Sequence, residues 1–486
     1  MRTRFLAAAC VVAACLAPLA AARQTLDRRQ IPPAAKTPAL RVPAWTTSAL
    51  TNGAGFVVSE RHGLPLVAFT LTLVGGANQY EPADKRGLAA MTAAMMREGT
   101  KTHDGEQLAL ALQMLGTNVG VSVDGESGAL TFTSTTEKFP ATLEILADLL
   151  VNSTFPADAL ERLRAQRLIA LTRANAQSRS IANRVYSRAL YGAAHPYGQE
   201  ANEASIKAIT RDDVVAFHKA YFQPGRAIVT VVGDVDEAVK KTVERALAAW
   251  PIGGARPVFT YPALPATHPM TIFLVDKPGA AQSTFAIGNP GPPRSTKDYA
   301  ALQVMNMMLG GHIQSRLSAN IREEKGYSYG VSSSFAYGKG PGPFRAGGDI
   351  VTAKTDAALV EFMRELRGIQ GARPITGDEL AMTKDMLIQR LPGQFGSVGG
   401  INAAITTLMV QGLPVEFYQS YVRAVSAVTT EDVVRVARQY IDMAHLSIVI
   451  VGDRATVEAP LKATAIAPIV VLDTDGNRTG EGEKGR

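Results

Sequence analysis

Apolar residues along this chain follow two spacings. Near 55–75 and 117–136 they gather in β-branched, alternating runs, which predict strands. FVVSERHGLPLVAFTL (56–71) reads as strand, turn, strand. Near 86–98, 104–115, 138–151 and 156–178 the pattern predicts helices. Further on, TRDDVVAFHKAYFQPGRAIVTVVGD (210–234) reads as a Thr-capped helix with acidic first-turn residues and an apolar face. A turn and a β-branched strand ending in Gly-Asp follow it.

That last unit occurs twice. TTEDVVRVARQYIDMAHLSIVIVGD (429–453) aligns to it without gaps at an offset of 219, with eight of 25 positions identical. A looser echo relates 56–71 to IFLVDKPGAAQSTFAI (272–287), offset by 216. Two offsets so close imply two homologous halves of roughly 200 residues. Strands mixed with paired helices predict an α+β class, each half a mostly antiparallel sheet with helices packed on one face. The expected divisions are an extended lead-in at 23–44, one half at 45–252, a Pro- and Gly-rich linker at 253–269, the second half at 270–472, and a polar, flexible tail at 473–486. In that tail Asp473, Asp475 and Asn477 superficially suggest a calcium loop, but Lys484 stands where the Glu at loop position 12 belongs.

Composition narrows the function classes. The 46% hydrophobic and 19% charged content belongs to a globular protein, and the net charge of +7 is spread without basic blocks, which disfavours nucleic acid as a partner. The start, MRTRFLAAACVVAACLAPLAAARQ, has two arginines, an uncharged run from Phe5 to Ala22, and small residues at 20–22. It predicts a secretory signal peptide at 1–22 rather than a membrane anchor, given Pro18 and the small-residue exit. Periplasmic export follows, with lipid anchoring through Cys15 as a second route. Cleavage leaves +5 and removes Cys10 and Cys15, the chain's two cysteines, so neither a disulfide framework nor thiolate chemistry is expected. No later stretch is apolar for the ~18 residues a transmembrane span needs.

Candidate chemistry is sparse. Among His62, His103, His195, His218, His268, His312 and His445 the closest pair is 23 apart, so no helix face offers two imidazoles to a metal. His195, in AAHPYG, reads as a turn residue. GYSYG (326–330) imitates a nucleophile elbow around Ser328, but helix precedes strand here, the reverse of what an elbow requires. A serine hydrolase using Ser328 would show itself by fluorophosphonate labelling.

DKRGLAAMTAAMMREGT (84–100) resembles the motif helix of the pitrilysin/insulinase family of zinc metallopeptidases, which carry an inverted H-x-x-E-H between a G-L-A-like start and a G-T finish. Gly87, Leu88, Ala89, Met95, Gly99 and Thr100 keep that frame, while Ala90, Ala93 and Ala94 replace the first His, the glutamate base and the second His. The family's third ligand is a Glu about 75–80 residues onward, ahead of an H-P-x-G turn. His195-Pro196-Tyr197-Gly198 keeps the turn, but Thr172 and Arg173 stand near the ligand position. Alanine has no lone pair and arginine repels a cation, so the resemblance implies no metal bound by this chain. SRLSANIREEKGYSYGVSS (315–333) is similar to the family's R-x-x-x-x-x-x-Y element, in Arg322 and Tyr329. Those two are the substrate-binding residues the resemblance implies, with Gly326 as helix C′ and Tyr329 on the same strand face as Tyr327. Arg322 held by Glu323 or Glu324 and Tyr329 in core packing is the plainer alternative.

In two-chain bacterial members one subunit holds the zinc motif and the other the Arg/Tyr pair. The resemblance therefore implies a catalytically inactive subunit of a periplasmic heterodimeric zinc peptidase. Its expected partners are an H-x-x-E-H-bearing homologous subunit, which supplies the zinc, and a peptide substrate. A non-enzymatic scaffold of the same fold is the alternative.

Overall fold

The computed structural model describes residues 40–252 and 259–479. The expected signal peptide, most of the lead-in, 253–258 of the linker and 480–486 of the tail lie outside the described residues. Two six-stranded sheets organise the rest. The first contains β1 (Thr46–Ala49), β2 (Gly55–Glu60), β3 (Leu66–Val74), β4 (Gly120–Val123), β5 (Ser127–Thr135) and β6 (Ala227–Gly233), in the order β1-β2-β6-β3-β5-β4. The second contains β7 (Thr271–Asp276), β8 (Gln282–Pro290), β9 (Ser328–Phe335), β10 (Pro343–Val351), β11 (Ser447–Gly452) and β12 (Ile469–Leu472), in the order β12-β7-β11-β8-β10-β9.

Five strands of each sheet repeat one pattern. β2 runs parallel to β6 and β7 parallel to β11, while β6-β3-β5-β4 and β11-β8-β10-β9 are antiparallel throughout. The sixth strands differ, since β1 is antiparallel to β2 and β12 is parallel to β7. The repeated sequence explains the shared part. Thr210 and Thr429 cap the helices Arg211–Tyr221 and Thr430–Tyr440 in matching capping boxes, closed by Asp213 and Asp432. The strands that follow, AIVTVVG and SIVIVG, are buried at every position, as strands covered on both faces must be.

The second cover comes from the opposite half. The predicted helix 156–178 ends at Asn175, and a new helix, Ser178–Tyr191, lies across β8 and β11 of the second sheet. Helix Val398–Gln411, starting 220 residues later, lies across β3 and β6 of the first. Each sheet therefore carries its own helices on one face and one exchanged helix on the other. Ile401, Ile405 and Leu408 join the core that includes Val57, Ile228 and Val232, and each such burial contributes roughly 1.5–3 kcal/mol. Asn402, 4% exposed, adds register: its Nδ2 donates to the carbonyls of Ala68 (3.1 Å) and Thr230 (3.0 Å), and its Oδ1 accepts from Thr70 (2.7 Å). On the other exchanged helix, the Tyr186 hydroxyl donates to the Phe344 carbonyl.

Residues 259–269 of the linker contain neither helix nor strand. The start of the expected tail forms hydrogen bonds within itself. The Asp473 carboxylate accepts from the Asp475 and Asn477 amides, and Thr479 N–H donates to Val471, which folds 473–479 into a turn and leaves Asp473 engaged with its own loop. Among the described residues no helix is long and apolar enough to cross a membrane.

Candidate functional site

The motif helix runs Leu88–Met95 and starts from Gly87 at φ +101°, a conformation that favours glycine. Leu88, Ala89, Met91, Ala93 and Met95 are buried. Its first turn is held by a residue the sequence reading passed over. Glu81 Oε1 accepts the N–H groups of Gly87 (2.9 Å) and Ala89 (2.7 Å), placing a carboxylate against the positive end of the helix. Burial raises the Glu81 pKa, opposed by those two bonds and by Arg86.

Ala90, Ala93 and Ala94 line a cleft of about 1440 Å³. Arg167 enters it from helix Ala157–Asn175, donating from Nη2 to the Ala90 carbonyl (2.7 Å), and burial lowers its pKa. Thr172 and Arg173 were the expected neighbours of this position, yet both are exposed, with the Thr172 hydroxyl turned back onto the Leu168 carbonyl. Arg167 lies 77 residues beyond Ala90 along the chain. The residues present do not fit zinc. The first-ligand position offers a methyl group and a carbonyl already bonded to a guanidinium, and a second cation is repelled. Among the described residues no group of three or more His, Cys, Asp or Glu could hold a metal ion.

The other predicted residues lie in the second half. Arg322 belongs to a π-helical turn, Ser318–Glu324, anchored by Asn320, whose Nδ2 donates to Glu361 (2.7 Å) and Glu365 (2.8 Å). Gly326, at φ +64°, closes the turn by donating to the Arg322 carbonyl. The Arg322 side chain is half-buried and pairs with Glu323 (3.3 Å). Tyr329 is 90% exposed. Register explains this: Ser328 pairs with Ile350 and Val331 with Gly348, so Tyr329 and Gly330 together oppose the single residue Asp349. This bulge interrupts the inside–outside alternation on an edge strand, and bulges re-aim side chains in this way. Tyr327 precedes the strand and is half-buried against the core, whereas Tyr329 is exposed. Among the described residues no hydrogen bond or ring contact joins Arg322 to Tyr329.

Two lookalikes resolve into structure. The Ser328 hydroxyl donates to the Asp349 carbonyl (2.6 Å) and receives the Gly330 N–H (3.0 Å), fastening the bulge. His195, 2% exposed, accepts the Tyr197 N–H at Nδ1 (3.1 Å) and stacks with Tyr191 and Tyr261. Burial lowers its pKa.

Comparison with known proteins finds likeness to one peptidase family. A family description reading "Insulinase (Peptidase family M16)" matches residues 57–200, and one reading "Peptidase M16 inactive domain" matches 208–387. The chain is 23% identical over 403 residues to the "Non-peptidase homolog YmxG" of Helicobacter pylori, covering 82% of this chain and 91% of that one. It is 24% identical over 284 residues to the "Uncharacterized zinc protease YmxG" of Bacillus subtilis, covering 58% and 68%. The solved peptidase M16 inactive domain from Pseudomonas fluorescens superposes with a TM-score of 0.76 at 25% identity, over 84% of this chain and 98% of that one.

Proposed function

The chain belongs to the insulinase family of M16 peptidases, and from that premise we propose that it is the zinc-less subunit of a periplasmic two-chain metallopeptidase. A homologous subunit bearing H-x-x-E-H holds the metal and the general base. This chain closes the chamber, offering Arg322 to a peptide backbone and Tyr329 to the developing oxyanion. One contrast carries the reading: alanines stand at the two histidine positions and at the base position, with the Arg167 guanidinium bonded beside them, while the Tyr329 phenol stands free on an edge strand. Export rests on the N-terminal leader, with lipid anchoring at Cys15 as the lesser route.

The test is co-expression with a homologous H-x-x-E-H chain, measuring zinc content and peptide cleavage for each chain alone and for the pair. The pair cleaves, this chain alone does not, and Tyr329→Phe cripples the pair without altering its zinc content. Cleavage by this chain alone in a metal-free preparation overturns the reading. Full activity of the Tyr329→Phe pair removes the oxyanion role and leaves a scaffold of the same fold. The Arg322–Glu323 ion pair is the observation that favours that alternative.

A further inference from the structure

Behind the exchanged helix Val398–Gln411 lies a second cavity, of about 530 Å³. Helices Tyr299–Leu309, Gly377–Gln389 and Phe417–Ala427 complete its walls. Arg294 lines it and is 8% exposed. Its guanidinium carbon sits 3.5 Å from the centre of the Tyr299 ring and 4.8 Å from that of Phe417. Among the described residues its side chain has no carboxylate partner and no hydrogen-bond acceptor. Burial lowers its pKa, with Tyr299 and Tyr337 opposing. A guanidinium does not deprotonate in a protein, so the charge persists. The aromatic faces offset part of its desolvation but accept none of its five in-plane N–H bonds.

The remainder of the lining fixes which ligand suits that charge. Arg390 stands exposed at the same cavity, Gln303, Gln394 and Thr407 are neutral, and no lining residue is Asp or Glu. The alanine-lined cleft of the first half is different, since Glu98, Asp104, Glu106 and Asp158 offset its three arginines. The wall facing Arg294 is apolar and aromatic, with Tyr418, Tyr421, Leu391 and Leu413. A buried cation without a counter-ion, an apolar wall and a volume in the range of small-molecule sites make one kind of pocket.

We propose that this cavity binds an apolar carboxylate. The Arg294 fork takes the carboxylate in its plane while the Tyr299 ring supports it from the face. Arg390 adds charge, and the ligand's hydrocarbon or aryl body lies on the aromatic wall. A free organic acid and the hydrophobic C-terminus of a peptide present this same chemistry. The site stands independently of the zinc-bearing partner.

Isothermal titration calorimetry on the full chain tests it with phenylbutyrate, N-acetyl-leucyl-phenylalanine, the C-terminal amide of that peptide, phenylbutanol and inorganic phosphate. Saturable binding of either acid, without binding of the amide, alcohol or phosphate, supports the site, and which acid binds identifies the source. Arg294→Met weakens the acid by about tenfold or more. Ala403→Trp, from an exposed position on the exchanged helix, fills the cavity and abolishes binding with Arg294 intact. It decides the matter if Arg294→Met fails to fold. The proposal is overturned if neither acid binds, if the alcohol or phosphate binds as tightly as the acids, or if a folded variant of either kind binds like the parent chain.

Discussion

The two halves share a strand order, a capping box and a reciprocal helix exchange, yet they differ in the side chains they present at the motif positions. In the first half the motif helix retains its glycine start and its Glu81 brace, while the side chains that meet a metal have become methyl groups. In the second, the π-helical turn and the bulge of β9 present Arg322 and Tyr329 at the end of the sheet. A fold of this kind separates the elements that hold it together from those that do chemistry, so the latter can be lost from one half without loosening either. One arginine at each cavity repeats the lesson. Arg167 is bonded to a backbone carbonyl and lies near Glu81, whereas Arg294 has only ring faces beside it.

The sharpest way to break the symmetry is to strip one exchanged helix. Leu408→Ala, at a fully buried position, should destabilise the protein by about 2–5 kcal/mol in chemical denaturation, an effect shared by both halves if they unfold together. Two separate transitions would show that the exchange does not couple them. Next in size is Tyr329→Phe, expected to lower the rate of the proposed two-chain enzyme by ~10²–10³ with an unchanged melting temperature, since Tyr329 is 90% exposed.

Acid should divide the halves. His218, stacked on Phe222 and donating to the Leu150 carbonyl, is pushed down to about 4 by burial; its repeat counterpart is Ala437. The unfolded chain binds that proton near 6.5, so the stabilisation is complete above 6.5 and is lost as pH falls toward 4. The loss approaches about 3 kcal/mol. Denaturation across this range should give a slope that His218→Gln flattens, and an equal slope in the variant refutes the assignment.

The smallest effect concerns Arg167. Arg167→Met should change stability by only about 1 kcal/mol, the net worth of one hydrogen bond against relief of a buried charge. It should nevertheless raise zinc uptake when added to Ala90→His with Ala94→His, because it removes the competing cation. Metal analysis of the double and triple variants checks this, and equal zinc contents would mean that the guanidinium does not guard the site.

Much of this was legible in local sequence. Thr210 and Thr429 with their acidic partners, the β-branched runs ending in Gly-Asp, and the glycine start of the motif helix each act within a few residues, so reading along the chain suffices. The alanines at 90, 93 and 94 announce their own lack of donors. Arg167 was missed because its bond to the Ala90 carbonyl is a contact between residues 77 apart, which no local pattern contains. The bulge at Tyr329 and Gly330 was not legible because it is set by the partner strand, and alternation read from β9 alone does not contain it.

Sequence by itself determined the duplicated α+β architecture, the capped helices, and the loss of every group able to hold zinc at the motif. These follow from side-chain chemistry and short-range hydrogen bonding. Only the tertiary structure decided that the halves trade helices, that Asn402 pins one of them to a foreign sheet, and that Arg294 is enclosed without an anion. Such outcomes depend on which distant surfaces exclude water together, and residues more than a hundred positions apart carry no mark of that meeting in their order along the chain.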